Sequence, residues 1–338
     1  MRLGFAVKVL GAGGLPSQDT RRWRSGPHLK VSIEHLRAVF AYCEDARIEM
    51  YRMTASLAPY ATHPDLPQFH GQVEESRAEL AELGAVARAQ GLRLSSHPGQ
   101  YVVLNSVEER IVEAAVRDLE LQAALFDAMG LGPEAVVNIH VGGAPGGTAA
   151  GLDRFERGFA RLSEKARRRV VVENDDRTYA LVDVLDLAAR IGRPVVWDIL
   201  HHHCHDPVRI PDDEALRLAL ATWPDGVRPK VHYSSPRTNV EERKKKVGRR
   251  VERSLVLPQL RAHADLVDPI GFEEFLVRTV GDVELDVMLE AKAKDLALLR
   301  LREQLEARGL RPEQGLTRQG AHGDGIREAE RFGPAPSG

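Results

Sequence analysis

Short β-branched runs alternate with longer stretches of helical period along most of the chain. Residues 2–7, 47–54, 92–97, 135–141, 168–174, 194–199, 229–234 and 283–290 read as strands. Between them, 73–90, 107–129, 153–167 and 212–222 carry apolar residues near helical spacing. Ser106 followed by Glu109 has capping-box spacing, and Pro211-Asp212-Asp213 reads as a helix start. Gly91, Gly130 and Gly192 stand where helices should end. Eight such units predict an α/β fold, a closed (β/α)8 TIM barrel in a single domain. A doubly wound open sheet is the rival, but no G-x-G-x-x-G follows the first strand to support it. The barrel is expected over 1–310, with a loop insertion at about 236–261. Residues 311–338, rich in Gly, Pro and charge, read as a loosely ordered tail.

Polar residues fall in phase with this pattern. Strand after strand, the apolar run ends in a metal-capable side chain: His97, His140, Glu173, Asp198, His232 and Glu290. A lone histidine at a strand end is ordinarily a hydrogen-bonded core or surface residue. In a parallel barrel, however, all strands point the same way, so these ends converge on the face where barrel active sites are built. Imidazole nitrogens with carboxylate oxygens suit zinc or manganese. Paired metals are a common device for cleaving phosphate esters, and Glu173 is the candidate to bridge them. Asp198 and His201, three apart, could serve adjacent ions. His203 and His205 read as solvent-facing, and Asn174 and Asp175 as supports for the Glu173 loop.

Composition narrows the classes. The 338 residues hold a barrel of roughly 250 plus insertions. A formal charge of −2 excludes bulk attraction to a polyanion, so any such attraction must be local. Residues 236–261 supply a patch, with nine Lys/Arg against three Glu. Its run 243–250 reads either as a solvated helix face or as a DNA contact through Lys244, Lys245 and Arg249. Cys43 and Cys204 form no C-x-x-C pair, which argues against a disulfide framework and for a reducing, cytoplasmic setting. The opening run is too short for a signal-peptide core, and no apolar run approaches the ~20 residues needed to span a bilayer.

The ordered motifs Ser95-Ser96-His97-Pro98-Gly99-Gln100-Tyr101, Asn138-Ile139-His140, Val172-Glu173-Asn174-Asp175, Asp198-x-x-His201-His202, Lys230-x-His232-x-Ser234-Ser235 and His263-x-Asp265 resemble those of UV damage endonucleases. So does Tyr51-Arg52-Met53 leading to Pro59 and His63. The resemblance runs from residue 2 to about residue 300. It implies up to three divalent ions, manganese foremost, with zinc or magnesium as alternatives. His97, His140 and Glu173 would hold the first; Glu173, Asp198, His232 and Glu290 the second; His201 and His263 a third. Asp265 would orient His263. Glu173, Lys230 and His97 would be catalytic, with Lys230 matching a lysine that is carboxylated in the family. Gln100 and Tyr101 would fill the gap left by flipped nucleotides, and His63 would contact phosphate.

The implied activity is incision of double-stranded DNA 5′ to UV photoproducts, leaving 3′-hydroxyl and 5′-phosphate ends, by a monomer with no membrane partner. Rival readings are an abasic-site endonuclease like endonuclease IV, a metal-dependent sugar isomerase, and a damaged-DNA binder or small-molecule oxidase that does not cut. Two departures bear on them. Where the family carries Gly-Tyr and an Asn four residues on, this chain has Gly4-Phe5 and Val9, and the segment before His263 is longer than the family pattern.

Overall fold

The structure is a computed structural model whose description covers residues 1–248 and 250–312. Arg249 and residues 313–338 of the expected tail lie outside the described residues.

Among the described residues ten strands are formed: β1 (Leu3–Ala6), β2 (Met50–Met53), β3 (Arg93–Ser96), β4 (Val136–His140), β5 (Val170–Glu173), β6 (Val195–Val196), β7 (Lys230–Tyr233), β8 (Glu241–Val247), β9 (Arg250–Val256) and β10 (Asp286–Leu289). Eight of them pair in parallel in the order β6-β5-β4-β3-β2-β1-β10-β7. The ring closes between β6 and β7, where Asp198 bridges His232 and the His232 amide donates to the Trp197 carbonyl at 2.9 Å. This is the (β/α)8 barrel that the alternation predicts, and each strand lies inside its expected range.

Side chains alternate between two cores, as the pleat requires. Leu3, Phe5, Val137, Ile139, Val170, Val172, Val231, Val287 and Leu289 point outward to the helices and join the main hydrophobic core. The barrel interior is narrower and is filled in layers: Val136, Val171 and Val196 under Trp223, and Ala6 with Met50 and Met288. Gly4 pairs in register with Met50 and Met288. A Cβ at Gly4 would lie 2.7 Å from Met50 Cγ, so only glycine leaves room for the methionine there.

The elements differ from the sequence reading in four places, the first being that the expected 73–90 helix is two, Gln72–Glu75 and Arg77–Ala89, divided at Ser76. The expected 153–167 helix is two, Thr148–Phe159 and Glu164–Arg169, divided where Ser163 Oγ caps the second by accepting from the Ala166 amide at 3.2 Å. Both pieces pack on the core, so the apolar period runs across the break. The Ser106–Glu109 capping box does not form: Ser106 Oγ accepts from the Glu108 amide, and Glu109 is already the first helical residue of Glu109–Ala128. The basic insertion, expected as a loop or a helix face, is the antiparallel pair β8–β9. Its β-branched and alternating positions around Gly248 close a hairpin, and charge alone did not reveal that. Gly91, Gly130 and Gly192 each end a helix with φ +63°. Among the described residues, no helix is long and apolar enough to cross a membrane.

Candidate metal centre

The carboxyl ends of the barrel strands bring the six expected strand-end residues to one place. Glu173 ends β5 with no exposed surface and sits at the centre. His97 Nε2 lies 3.1 Å and His140 Nε2 3.9 Å from Glu173 Oε2. On its other oxygen, Oε1, His232 Nδ1 lies at 3.0 Å and His201 Nδ1 at 3.5 Å. His232 Nδ1 is also 4.0 Å from Asp198 Oδ2 and 3.4 Å from Glu290 Oε1. Three sets therefore have ligand atoms mutually within 4.8 Å: His97–His140–Glu173, Glu173–Asp198–His201 and Asp198–His232–Glu290.

Local structure aims these groups. Asp198 caps the short helix Ile199–Cys204, its Oδ1 accepting from the His201 amide at 2.8 Å, which turns His201 inward. Asn174 bonds both backbone groups of Asp198, at 2.9 and 3.0 Å, and so locks the β5 end to the β6 end. Asp175 accepts from the amides of Arg177, Thr178 and Tyr179, shaping the loop after Glu173. His203 points to solvent and pairs with Asp212 at 2.9 Å.

Burial and mutual charge set the protonation of the cluster. Burial works to raise the Glu173 carboxyl, but His232 and His140 outweigh it and hold Glu173 well below the usual range. Burial raises Asp198 to about 6. For His201 burial works downward, yet Asp198, Glu173 and Glu290 together lift it to about 9. Burial pushes His232 down to about 3 and lowers His140. Asp198 Oδ2 and His140 Nδ1 are buried with no hydrogen-bond partner. A nest of nitrogen and carboxylate donors with such atoms left over fits divalent cations.

The outcome for the other expected residues is mixed. His263 reaches the cluster from the loop after β9, its ring 6.1 Å from that of His201 and its Nδ1 3.6 Å from Glu290 Oε2. Its orienting partner is the Glu290 carbonyl, 2.6 Å from Nδ1, while Asp265 is exposed and does not fill that role. Lys230 is fully buried in the barrel interior, and its Nζ has no hydrogen-bond partner. Burial, then Arg52 and Arg93, push its pKa well down. Gln100 lines a cavity of about 460 Å³ together with His140, His201, Asp175 and Asp176, and Tyr101 beside it is 82% exposed. His63 lies on an exposed loop, where its ring meets Tyr60 and its Nδ1 accepts from the Asp65 amide at 3.2 Å. Phe5 and Val9 are buried, and Phe5 packs on Tyr51. Lys244 and Lys245 stand exposed on β8.

Two residues stood in the quoted motifs without an assigned role. Arg52, buried on β2, places Nη1 2.5 Å from Glu290 Oε1 and Nη2 2.7 Å from His232 Nε2. Its signal was a charge in the middle of an apolar strand. Asn138, two residues before His140 and therefore on the same inner face, donates to Glu173 Oε2.

The family model for UV-endonuclease UvdE matches residues 28–315. The chain belongs to that family. A UV DNA damage endonuclease of Bacillus velezensis is 35% identical over 281 residues, covering 82% of this chain and 81% of the relative. One of Bacillus cereus is 31% identical over 290 residues and covers 85% of each. The crystal structure of SacUVDE superposes with a TM-score of 0.74 at 28% identity, covering 91% of this chain and 98% of that one. A D-tagatose 3-epimerase-like protein matches with a TM-score of 0.51 at 15% identity, which shows the barrel fold alone.

Proposed function

We propose that the chain makes single-strand incisions in double-stranded DNA 5′ to UV photoproducts, leaving 3′-hydroxyl and 5′-phosphate ends, and that the reaction requires divalent cations. The observation that carries this reading is the convergence of Glu173, Asp198 and Glu290 with five histidines at one barrel rim, in a member of the UvdE family. Up to three ions would be held: one by His97, His140 and Glu173, one by Glu173, Asp198, His232 and Glu290, and one by His201 and His263 with Asp198 in reach. Manganese is the ion we put first, ahead of zinc and magnesium. Such cations would supply charge stabilisation at a phosphodiester and activation of the attacking water.

The chain's own groups do the rest. Glu173 would tie two ion sites together, and Asn138 donates to its Oε2. Lys230 Nζ, unpartnered and with its pKa pushed well down by burial, is suited to take up carbon dioxide, releasing one proton and forming a carbamate whose negative charge Arg52 and Arg93 would favour. Gln100 and Tyr101, exposed at the mouth, would enter the space left by flipped nucleotides, where an aromatic ring can stack. His63 would meet a phosphate farther along the strand. The working unit is one chain, which sedimentation of the protein with and without a lesion duplex checks.

The test incubates UV-irradiated and untreated plasmid with the purified protein and manganese. Nicking confined to the irradiated plasmid, lost with EDTA and in Glu173→Ala, is the expected result. If irradiated plasmid stays supercoiled, the reading is wrong. Preference for an abasic-site oligonucleotide over one with a pyrimidine dimer would replace it with the endonuclease IV-like activity.

A further inference from the structure

β8 and β9 form a two-stranded ribbon separate from the barrel sheet. From Glu242 to Lys246 and from Arg250 to Leu255 every described side chain is exposed, so neither face has a covering layer. An isolated two-stranded ribbon is marginal in water and gains from a partner. Its root is not free: Pro236 bridges His263, the Arg237 amide donates to the Ala262 carbonyl at 2.7 Å, and Arg261 lies 3.4 Å from Asp176 of the loop after β5. The ribbon therefore rises from the catalytic rim beside His263.

The pairing register sorts its charges. Lys244, Lys246 and Arg253 share one face with Glu242, Val251 and Leu255. Arg243, Lys245 and Arg250 share the other with Glu241, Glu252 and Ser254. Arg253 and Lys244 lean on Glu242, at 3.2 and 3.9 Å. Arg243, Lys245, Lys246 and Arg250 have no carboxylate partner among the described residues. A ribbon that lay flat on a surface would need one basic face. Three cations on each face suit an occupant that presents anions on both sides, and the walls of a DNA groove do so. A major groove about 12 Å wide admits a two-stranded ribbon.

We propose that β8–β9 inserts into a groove of the duplex flanking the lesion, its two faces meeting phosphates on opposite groove walls without reading sequence. The proposal rests on the DNA reading of the rim, and it assigns the insertion a contact that the metal centre does not need. The test measures fluorescence anisotropy of labelled duplexes, with and without a pyrimidine dimer, in EDTA over a series of salt concentrations. The variants are Lys244→Ser with Lys246→Ser on one face and Arg243→Ser with Lys245→Ser on the other, with Tm confirming folding. Each pair should weaken both duplexes alike and make the slope of log K against log salt shallower by about 1.8, or 0.9 per phosphate contact. Loss from one face only would overturn groove insertion in favour of a flat contact. No change from either would overturn DNA contact altogether, leaving Val251 and Leu255 to meet a protein. Loss of binding in the variants of a protein that cuts no irradiated plasmid would refute the incision reading alone.

Discussion

The two ends of the barrel interior handle buried charge in opposite ways. At the amino end of the strands Asp286 is fully buried and fully answered: Arg93 Nη1 lies at 2.8 Å, Arg2 Nη1 at 3.3 Å and Arg228 Nη1 at 3.8 Å, and the Arg2 amide donates at 2.8 Å. At the carboxyl end Glu173, Asp198 and Glu290 share one guanidinium, Arg52, with histidines of which burial pushes His232 and His140 down while the carboxylates lift His201. One end supplies its own counter-charge. The other gathers three carboxylates around a single guanidinium, and a buried charge persists only when paired or bound to a cation. The comparison separates a structural plug from a cluster of groups that could hold metal ions.

The largest effect expected at the open end comes from Glu173→Gln, which keeps the shape but removes the shared charge. Nicking of irradiated plasmid should fall on the order of 10³-fold, comparable to losing one electrostatic stabiliser in other enzymes, with bound manganese falling by elemental analysis. Retained activity would break the contrast. At the closed end, Asp286→Ala should leave the Arg93 guanidinium uncompensated and lower unfolding stability by about 3–5 kcal/mol in urea titrations. Manganese bound per folded molecule should hold, because Asp286 lies at the far end of the strands. Lys230 lies between the two. Lys230→Met removes an unpartnered buried amine, so stability should hold or rise by about 1–3 kcal/mol, while nicking drops. Lost stability with retained nicking would make Lys230 part of the plug instead.

The smallest effect concerns pH. In the metal-free protein His201 is raised to about 9, and a ligating imidazole must be neutral. Below that pH, ion uptake has to displace the proton, so affinity should rise up to about tenfold per pH unit and level off above about 9. Calorimetry in buffers of different ionisation enthalpy should show proton release at pH 7. Affinity that falls with rising pH would remove His201 from the ligand set.

Much of this was legible in the chain. The eight strand positions, the glycines closing helices at Gly91, Gly130 and Gly192, and the ligand candidates at strand ends all follow from period and phase, because a barrel of parallel strands turns a repeated position in sequence into a shared place in space. The family motifs added Gln100, Tyr101 and Lys230 in their order.

Only the tertiary structure decided the rest. That Arg52 spans Glu290 and His232, that the Glu290 carbonyl rather than Asp265 orients His263, and that Phe5 and Val9 lie in the core depend on distances between segments far apart in sequence, which no local pattern encodes. The basic insertion shows the same limit. Its composition announced the charge, but the division of that charge between two faces arises from strand register, and register exists only once Glu242 has found Leu255 across the turn.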